Sequence, residues 1–201
     1  GTWVDGTIVV NGYILTIPGA AAAAGTFNCI NATNGSTLVF TGAAVLTNLA
    51  VLEDNTTNFE FQNTPTFVAT ITECNNFTLT TAGNVTLLAG ITIYGNLDVG
   101  AGCTFNTGNF NLTVYGDVTN IATGTMTLSG TGTNYLYGAM QGTGTFTTDE
   151  TTILVARGTS AALQLPVQWG ATAIGKIVVE RPNGVVLNRS FTLGDAAGAD
   201  T

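Results

Sequence analysis

The chain has 201 residues, of which 45% are hydrophobic and only 8% charged, with a formal net charge of −8 and no histidine. Four cations, Arg157, Lys176, Arg181 and Arg189, are too few and too scattered to follow a phosphate backbone, which argues against nucleic acid as a partner. Thr, Asn and Gly carry the polarity instead, a composition suited to β-strands with neutral outward faces and tight turns, and the hydrophobic content is too high for a disordered chain.

At its beginning, Trp3 to Ile17 reads as two or three short strands separated by Gly turns. Pro18-Gly19 breaks that pattern, and Ala20 to Ala24 is fenced by Pro and Gly. A loop or a single helical turn at a corner is expected there, despite the helix propensity of alanine. Strand-like runs follow at Thr37–Phe40, Val45–Leu52, Phe59–Phe61, Phe67–Ile71, Phe77–Thr80 and Val85–Leu88. These pieces are shorter than the roughly 9–11 residues of a membrane-barrel strand. No apolar run approaches the roughly 18 residues of a membrane helix, so no membrane insertion is expected. The absence of an initiating Met or a signal peptide suggests that residue 1 is a processed or trimmed end.

From Ile91 to Gly138 the chain nearly repeats itself. Ile91-Thr92-Ile93-Tyr94-Gly95-Asn96-Leu97-Asp98-Val99 is answered by Leu112-Thr113-Val114-Tyr115-Gly116-Asp117-Val118-Thr119, and again by Asn134-Tyr135-Leu136-Tyr137-Gly138. The connecting halves repeat as well: Cys103-Thr104-Phe105-Asn106, Gly124-Thr125-Met126-Thr127, Gly144-Thr145-Phe146-Thr147. Apolar residues alternate with period two, which sends Ile91, Ile93, Leu97, Val99, Cys103, Phe105, Leu112, Val114, Met126 and Leu128 inward and Thr92, Asp98, Thr104, Thr113 and Thr127 outward. Such a unit cannot bury its apolar face alone, so copies must stack into a continuous core.

The fold expected is therefore all-β: one domain, residues 1–201, forming a parallel β-solenoid (β-helix) with coils of about 20–22 residues. The repeats are clearest over 67–194. Ile71/Ile91, Leu79/Val99 and Val85/Phe105 extend the register backward. An antiparallel sandwich of similar short strands is the competing architecture. Further runs at Thr152–Ala156, Leu163–Trp169, Lys176–Glu180, Val185–Leu187 and Phe191–Leu193 continue the pattern, with Pro166 and Pro182 marking corners or edges.

Catalytic chemistry finds no foothold in the sequence, and no catalytic, metal or cofactor site is expected. Without His and with a single Lys, Ser-His-Asp, Cys-His and Ser-Lys arrangements drop out. Glu53/Asp54 and Asp149/Glu150 read as solvated charges rather than a glycosidase pair, because neighbours on a strand point to opposite faces. No EF-hand or Gly-Gly-x-Gly-x-Asp repeat supports calcium, and Gly130-Thr131-Gly132 and Gly142-Thr143-Gly144 lack the helix of a dinucleotide loop. Cys29, Cys74 and Cys103 form no metal spacing. Cys103 falls on an inward position, and a Cys29–Cys74 disulfide stays open.

Two surface features stand out. Tyr94, Tyr115 and Tyr137 should form one outward ladder, stabilising the stack or presenting a lateral or glycan contact. Sequons begin at Asn31, Asn34, Asn55, Asn76, Asn84, Asn111 and Asn188, candidates for glycosylation, although abundant Asn and Thr account for most of them. The pairs Thr70/Thr72, Thr78/Thr80, Thr125/Thr127 and Thr143/Thr145 are candidates for a flat hydroxyl array of the ice-binding kind, against plain β-propensity on an outward face.

The run from Gly95 to Asn120, and the related unit Lys176 to Gly194, resembles the Gly/Asn/Thr-rich β-strand repeats of secreted bacterial surface proteins, adhesins and autotransporter passengers among them. The resemblance covers about residues 67–194. It implies a right-handed parallel β-helix at the cell surface or outside the cell, acting as scaffold, adhesin or fibre, and brings no catalytic residues with it. A carbohydrate-binding or carbohydrate-active β-helix, such as a phage tailspike or lyase, is the alternative. Phe191 to Thr201 hold a strand and small residues with no amphipathic cap, and strand-like sequence begins almost at once, at Thr7–Val10. Either the chain is a fragment of a longer array or one copy's end is covered by the next, and head-to-tail association into a filament is the expectation.

Overall fold

A computed structural model describes residues 8–17, 30–33, 35–41, 45–46, 51–52, 54–62, 66–67, 71–159, 163–165, 173–187 and 192–193. Within them the chain is a parallel β-solenoid. Every strand pairs in parallel with its equivalent one coil away, as in Leu97↔Val118 and Phe105↔Met126. Among the described residues the only helical piece is the 3-10 turn Asp54–Thr56.

Three sheets carry the clearest coils. The long sheet stacks seven strands, from Ile14–Ile17 through Thr37–Phe40, Asn58–Phe61, Phe77–Leu79, Leu97–Val99 and Val118–Asn120 to Met140–Gln141. A four-stranded sheet holds Asn84–Thr86, Thr104–Asn106, Thr125–Leu128 and Thr145–Thr148. A six-stranded sheet, here the tyrosine sheet, holds Glu73–Cys74, Ile91–Ile93, Leu112–Val114, Thr133–Leu136, Ile153–Ala156 and Lys176–Val179. Between Glu73 and Thr148 each coil visits the tyrosine sheet, the long sheet and the four-stranded sheet in that order. Smaller sheets pair Ile8–Asn11 with Ile30–Thr33 and Val51–Leu52, Val45–Leu46 with Thr66–Phe67, Leu163–Leu165 with Val185–Leu187, and Ala173–Ile174 with Thr192–Leu193.

Period-two alternation sets the core. All ten residues assigned inward between Ile91 and Leu128 are buried, while Thr92, Asp98, Thr104, Thr113 and Thr127 are half-buried on the outer rows. Aromatic rings fill the core's axis: Phe40, Phe61 and Phe77 follow one another with centroids 5.2 and 5.1 Å apart, and Phe105 meets Phe77 edge-on at 5.7 Å. Edge-to-face and offset contacts of this kind add about 0.5–1.5 kcal/mol each beyond the area they bury.

Several expectations need correction. Coil length is not confined to 20–22 residues: Phe59 steps to Phe77 in 18, while Ile14 steps to Thr37 and Leu154 to Ile177 in 23. Corners absorb the difference, because only the strand positions have to pair. The run Val45–Leu52 is not one strand, since Val45–Leu46 and Val51–Leu52 belong to different sheets. Phe67 ends the strand Thr66–Phe67, whereas Ile71 lies ahead of Glu73–Cys74. The register Glu73↔Thr92 is a step of 19, which puts Ile71 one residue out of line with Ile91 although both are buried. Leu79/Val99 and Val85/Phe105 pair as expected. Ala20–Ala24, Cys29, Pro166 and the carboxylate of Glu53 lie outside the described residues.

Candidate interaction surface

The corner between the tyrosine sheet and the long sheet explains the Tyr-Gly repeat. Gly95, Gly116 and Gly138 stack directly, with Gly116 N–H donating to Gly95 O at 2.9 Å. A Cβ on Gly138 would overlap the carbonyl of Gly116, and one on Gly116 would overlap that of Gly95. Backbone meets backbone here, so only glycine fits.

The next residue of each corner builds a second ladder. Asn76 Oδ1 accepts from Asn96 N–H (2.7 Å), Asn96 Oδ1 from Asp117 N–H (2.9 Å), and Asp117 Oδ1 from Ala139 N–H (2.8 Å). Each side chain thus takes the donor that the turn of the following coil exposes. Asn58 begins the row, its Oδ1 accepting from both Asn75 and Asn76. Ala139, with only a methyl group, has no acceptor to carry the ladder further.

The tyrosines lie beside this row. Tyr94 and Tyr115 stack with centroids 5.6 Å apart and planes 7° apart; Tyr115 and Tyr137 stand 4.4 Å apart at 30°. Both faces of Tyr115 are therefore against a neighbouring ring, and the ladder offers ring edges and hydroxyls outward. Tyr94 and Tyr115 are each 45% exposed. Opposite charges close the two ends. Tyr94 Oη donates to Glu73 Oε2 (3.2 Å), while Tyr137 Oη accepts from Arg157 Nη1 (3.5 Å).

Arg157 occupies the ladder position one coil beyond Tyr137, and Glu180 the position after that, because Leu136, Ala156 and Val179 are register partners. Arg157 Nε pairs with Glu180 Oε2 at 2.5 Å, and the guanidinium lies 4.6 Å from the ring centre of Tyr135. Its bonds to Glu180 and Tyr137 push the Arg157 pKa above its ordinary value. Sequence reasoning stopped the ladder at Tyr137, because an Arg and a Glu do not look like tyrosine. The 20- and 23-residue steps would have placed them.

Arg181, also missed, clamps the same corner from outside the repeat. Buried to 4% exposure, its guanidinium donates to the carbonyls of Tyr137 and Gly138 (2.8 Å for the latter) and its Nε to Arg157 O at 2.8 Å. Burial pulls its pKa down, and Asp117 acts the other way.

The remaining candidates are dispersed. Asn55, Asn84 and Asn111 are exposed and Asn76 is half-buried. Asn76 and Asn111 serve ladders, Asn111 Oδ1 accepting from Thr133 N–H at 2.8 Å. Asn34 and Asn188 lie outside the described residues, as does the side chain of Asn31. The Thr-x-Thr pairs do not share one array: Thr78 is on the long sheet, Thr125 and Thr127 on the four-stranded sheet, and Thr143 in a turn, while Thr70 lies outside the described residues. Asp149 and Glu150 sit in a turn rather than on a strand. There Asp149 accepts from Thr151 and Gly130; burial pushes its pKa up, but these bonds, with one from Thr152, outweigh it and the pKa falls. Asp98 goes the other way, raised by burial and by Asp117, against a lowering bond from Thr119. Cys74 and Cys103 are buried; the Cys29–Cys74 pairing involves a residue outside the described ones. Among the described residues no group of three or more Cys, Asp and Glu is placed to hold a metal, and no helix is long and apolar enough to cross a membrane.

The fold and its ladders define a parallel β-solenoid. No protein-family model matches the chain, and neither a curated protein nor a solved structure matches it significantly.

Proposed function

We propose that this solenoid is a structural or adhesive segment of an extracellular or cell-surface fibre, in which copies associate head to tail. The observation that carries this reading is the parallel pairing of each described strand with its equivalent one coil away, reinforced by the Asn/Asp ladder between Asn76 and Ala139 and by the stacked rings from Tyr94 to Tyr137. A unit that pairs with its own equivalent extends by adding coils, and a head-to-tail contact without rotational closure propagates. Low charge density does not oppose it. Negative-stain microscopy, with light scattering over a concentration series, tests the proposal. Thin unbranched fibres that lengthen with concentration are expected. A stable monomer at the highest concentration, with both terminal coils covered by their own chain, would rule the fibre out.

The glycan-binding alternative needs a ring face open to a sugar. Self-stacking takes both faces of Tyr115 and one each of Tyr94 and Tyr137, which favours the scaffold reading.

A further inference from the structure

We infer that the outer face of the four-stranded sheet is a binding surface for ice, an uncharged periodic lattice of hydrogen-bonding partners. The inference does not rest on fibre formation. The Thr-x-Thr pairs read from the sequence are dispersed, yet the strand register builds a different array on this one sheet. Asn84, Thr104, Thr125 and Thr145 are partners in one column, and Thr86, Asn106, Thr127 and Thr147 in the next. Every member is exposed or half-buried, while Val85, Phe105, Met126 and Phe146 between the columns are buried and hold them level. Neighbours in a column are about 4.8 Å apart, and the columns stand two residues, roughly 6.6 Å, from each other. No charge stands in either column, although the chain carries a net charge of −8. The outer rows of the other sheets differ: the long sheet holds Glu60 and Asp98, the tyrosine sheet Glu73 and Lys176.

Neutrality is the first argument for this occupant. A charged ligand would give up hydration here and meet no counter-charge, so the partner is uncharged. Size is the second. Four strands of three residues span roughly 200 Å², well below the about 800 Å² that each side of a stable protein–protein contact buries. Neither a second copy nor another protein is held by so small a face. A solid repeats its spacing at every point, so a small patch in register finds a site wherever it lands. The hydroxyls are the third argument. Thr107 and Thr152 direct theirs to backbone carbonyls, whereas the threonine hydroxyls of the two columns make no hydrogen bond to any described residue. Their partners are therefore waters, held on the same grid. Branching at Cβ leaves each side chain few rotamers, so the grid is ordered before any lattice meets it. A sugar would be met through an open aromatic face, and the outer positions of this sheet hold only Asn and Thr.

The test is partition into ice grown slowly from dilute solution, with protein measured in the ice and in the remaining liquid. Wild-type protein is expected to be taken up, where a size-matched protein without such a face is pushed out. Thr125→Lys, in the middle of the first column, and Thr145→Lys, at an exposed position that tolerates a long side chain, should each lose the uptake. Thr113→Lys, the same change on the outer row of the tyrosine sheet, should be taken up like wild type. Circular dichroism and melting report whether the coils of each variant are intact. Wild-type protein pushed out of the ice overturns the inference, and its sedimentation with powdered cellulose would then assign the face to a neutral polysaccharide. Uptake that survives in a folded Thr125→Lys or Thr145→Lys variant overturns it too, as does an equal loss in folded Thr113→Lys.

Discussion

The coils between Phe77 and Thr148 and those after Asp149 solve the same stacking problem in different ways. In the first region short side chains at equivalent positions bond to one another: glycine on glycine, Asn or Asp oxygen on the next turn's N–H, ring on ring. Beyond Asp149 the like-with-like rows end. Tyr137 is followed by Arg157 and Glu180, and the step from Leu154 to Ile177 lengthens to 23 residues. The last corner of the first region has its carbonyls, those of Tyr137 and Gly138, satisfied from a distance by Arg181 of the second, whose side chain reaches 43 and 44 positions back. Where glycine, Asn or Asp and tyrosine recur at equivalent positions the corners are satisfied locally; where they stop recurring, a long donor serves instead. That is the difference between ladder and clamp.

The largest effect expected from breaking this contrast is at glycine. Gly138→Ala drives a methyl into the backbone carbonyl of Gly116, which cannot swing aside as a side chain can, and against the Asp117 carboxylate of the ladder. A loss of about 3 kcal/mol or more is expected by urea unfolding. Gly184, in the later region, has φ +75° and open space around the site. Gly184→Ala should cost only the backbone strain, about 1 kcal/mol. Equal costs would mean that the coils are not in backbone contact at the Tyr-Gly corner.

Arg181→Met comes next. It retains much of the packing but withdraws the donors from the carbonyls of Tyr137, Gly138 and Arg157; about 2–3 kcal/mol is expected, given the cost of stranded buried acceptors. Asn96→Ala, which removes one rung of the local ladder, should cost about 1 kcal/mol. Arg181→Met at or below the cost of Asn96→Ala would show that the clamp is an ornament on a stack that holds without it.

The smallest effects lie in pH. Asp149 has its folded pKa lowered, so its stabilisation is present above the unfolded carboxylate pKa of about 4 and is lost as pH falls through the lower folded value. Asp98 has its folded pKa raised, so its charged form opposes folding above that value and the penalty lifts on acidification. Asp98→Asn should therefore raise the melting temperature slightly at neutral pH, and Asp149→Ala should lower it there while flattening the acid limb. Identical shifts from both would contradict the opposite environments assigned to them.

The sequence made the solenoid legible where rows repeat in kind. Period-two alternation from Ile91 to Leu128 settled which residues face the core, and Tyr94, Tyr115 and Tyr137 marked the coil step. Illegible were features that depend on position without likeness. Arg157 and Glu180 continue the tyrosine row in register but not in chemistry. Nothing in the repeat marks Asn96 and Asp117 as rungs of one ladder, although their oxygens bond forward to the next coil. Arg181, beside Pro182, read as part of a corner, and nothing local announces that its guanidinium is buried. The step of 18 from Phe59 to Phe77 likewise hid the earlier coils, since a search at 20–22 passes over it.

The central claim is that Tyr94, Tyr115 and Tyr137 occupy consecutive coils of one parallel stack, and ring-to-ring nuclear Overhauser effects test it most directly. With centroids at 5.6 and 4.4 Å, strong cross-peaks are expected between Tyr94 and Tyr115 and between Tyr115 and Tyr137, with none between Tyr94 and Tyr137. Absence of the two neighbour peaks, or a Tyr94–Tyr137 peak as strong as either, would contradict the solenoid register itself.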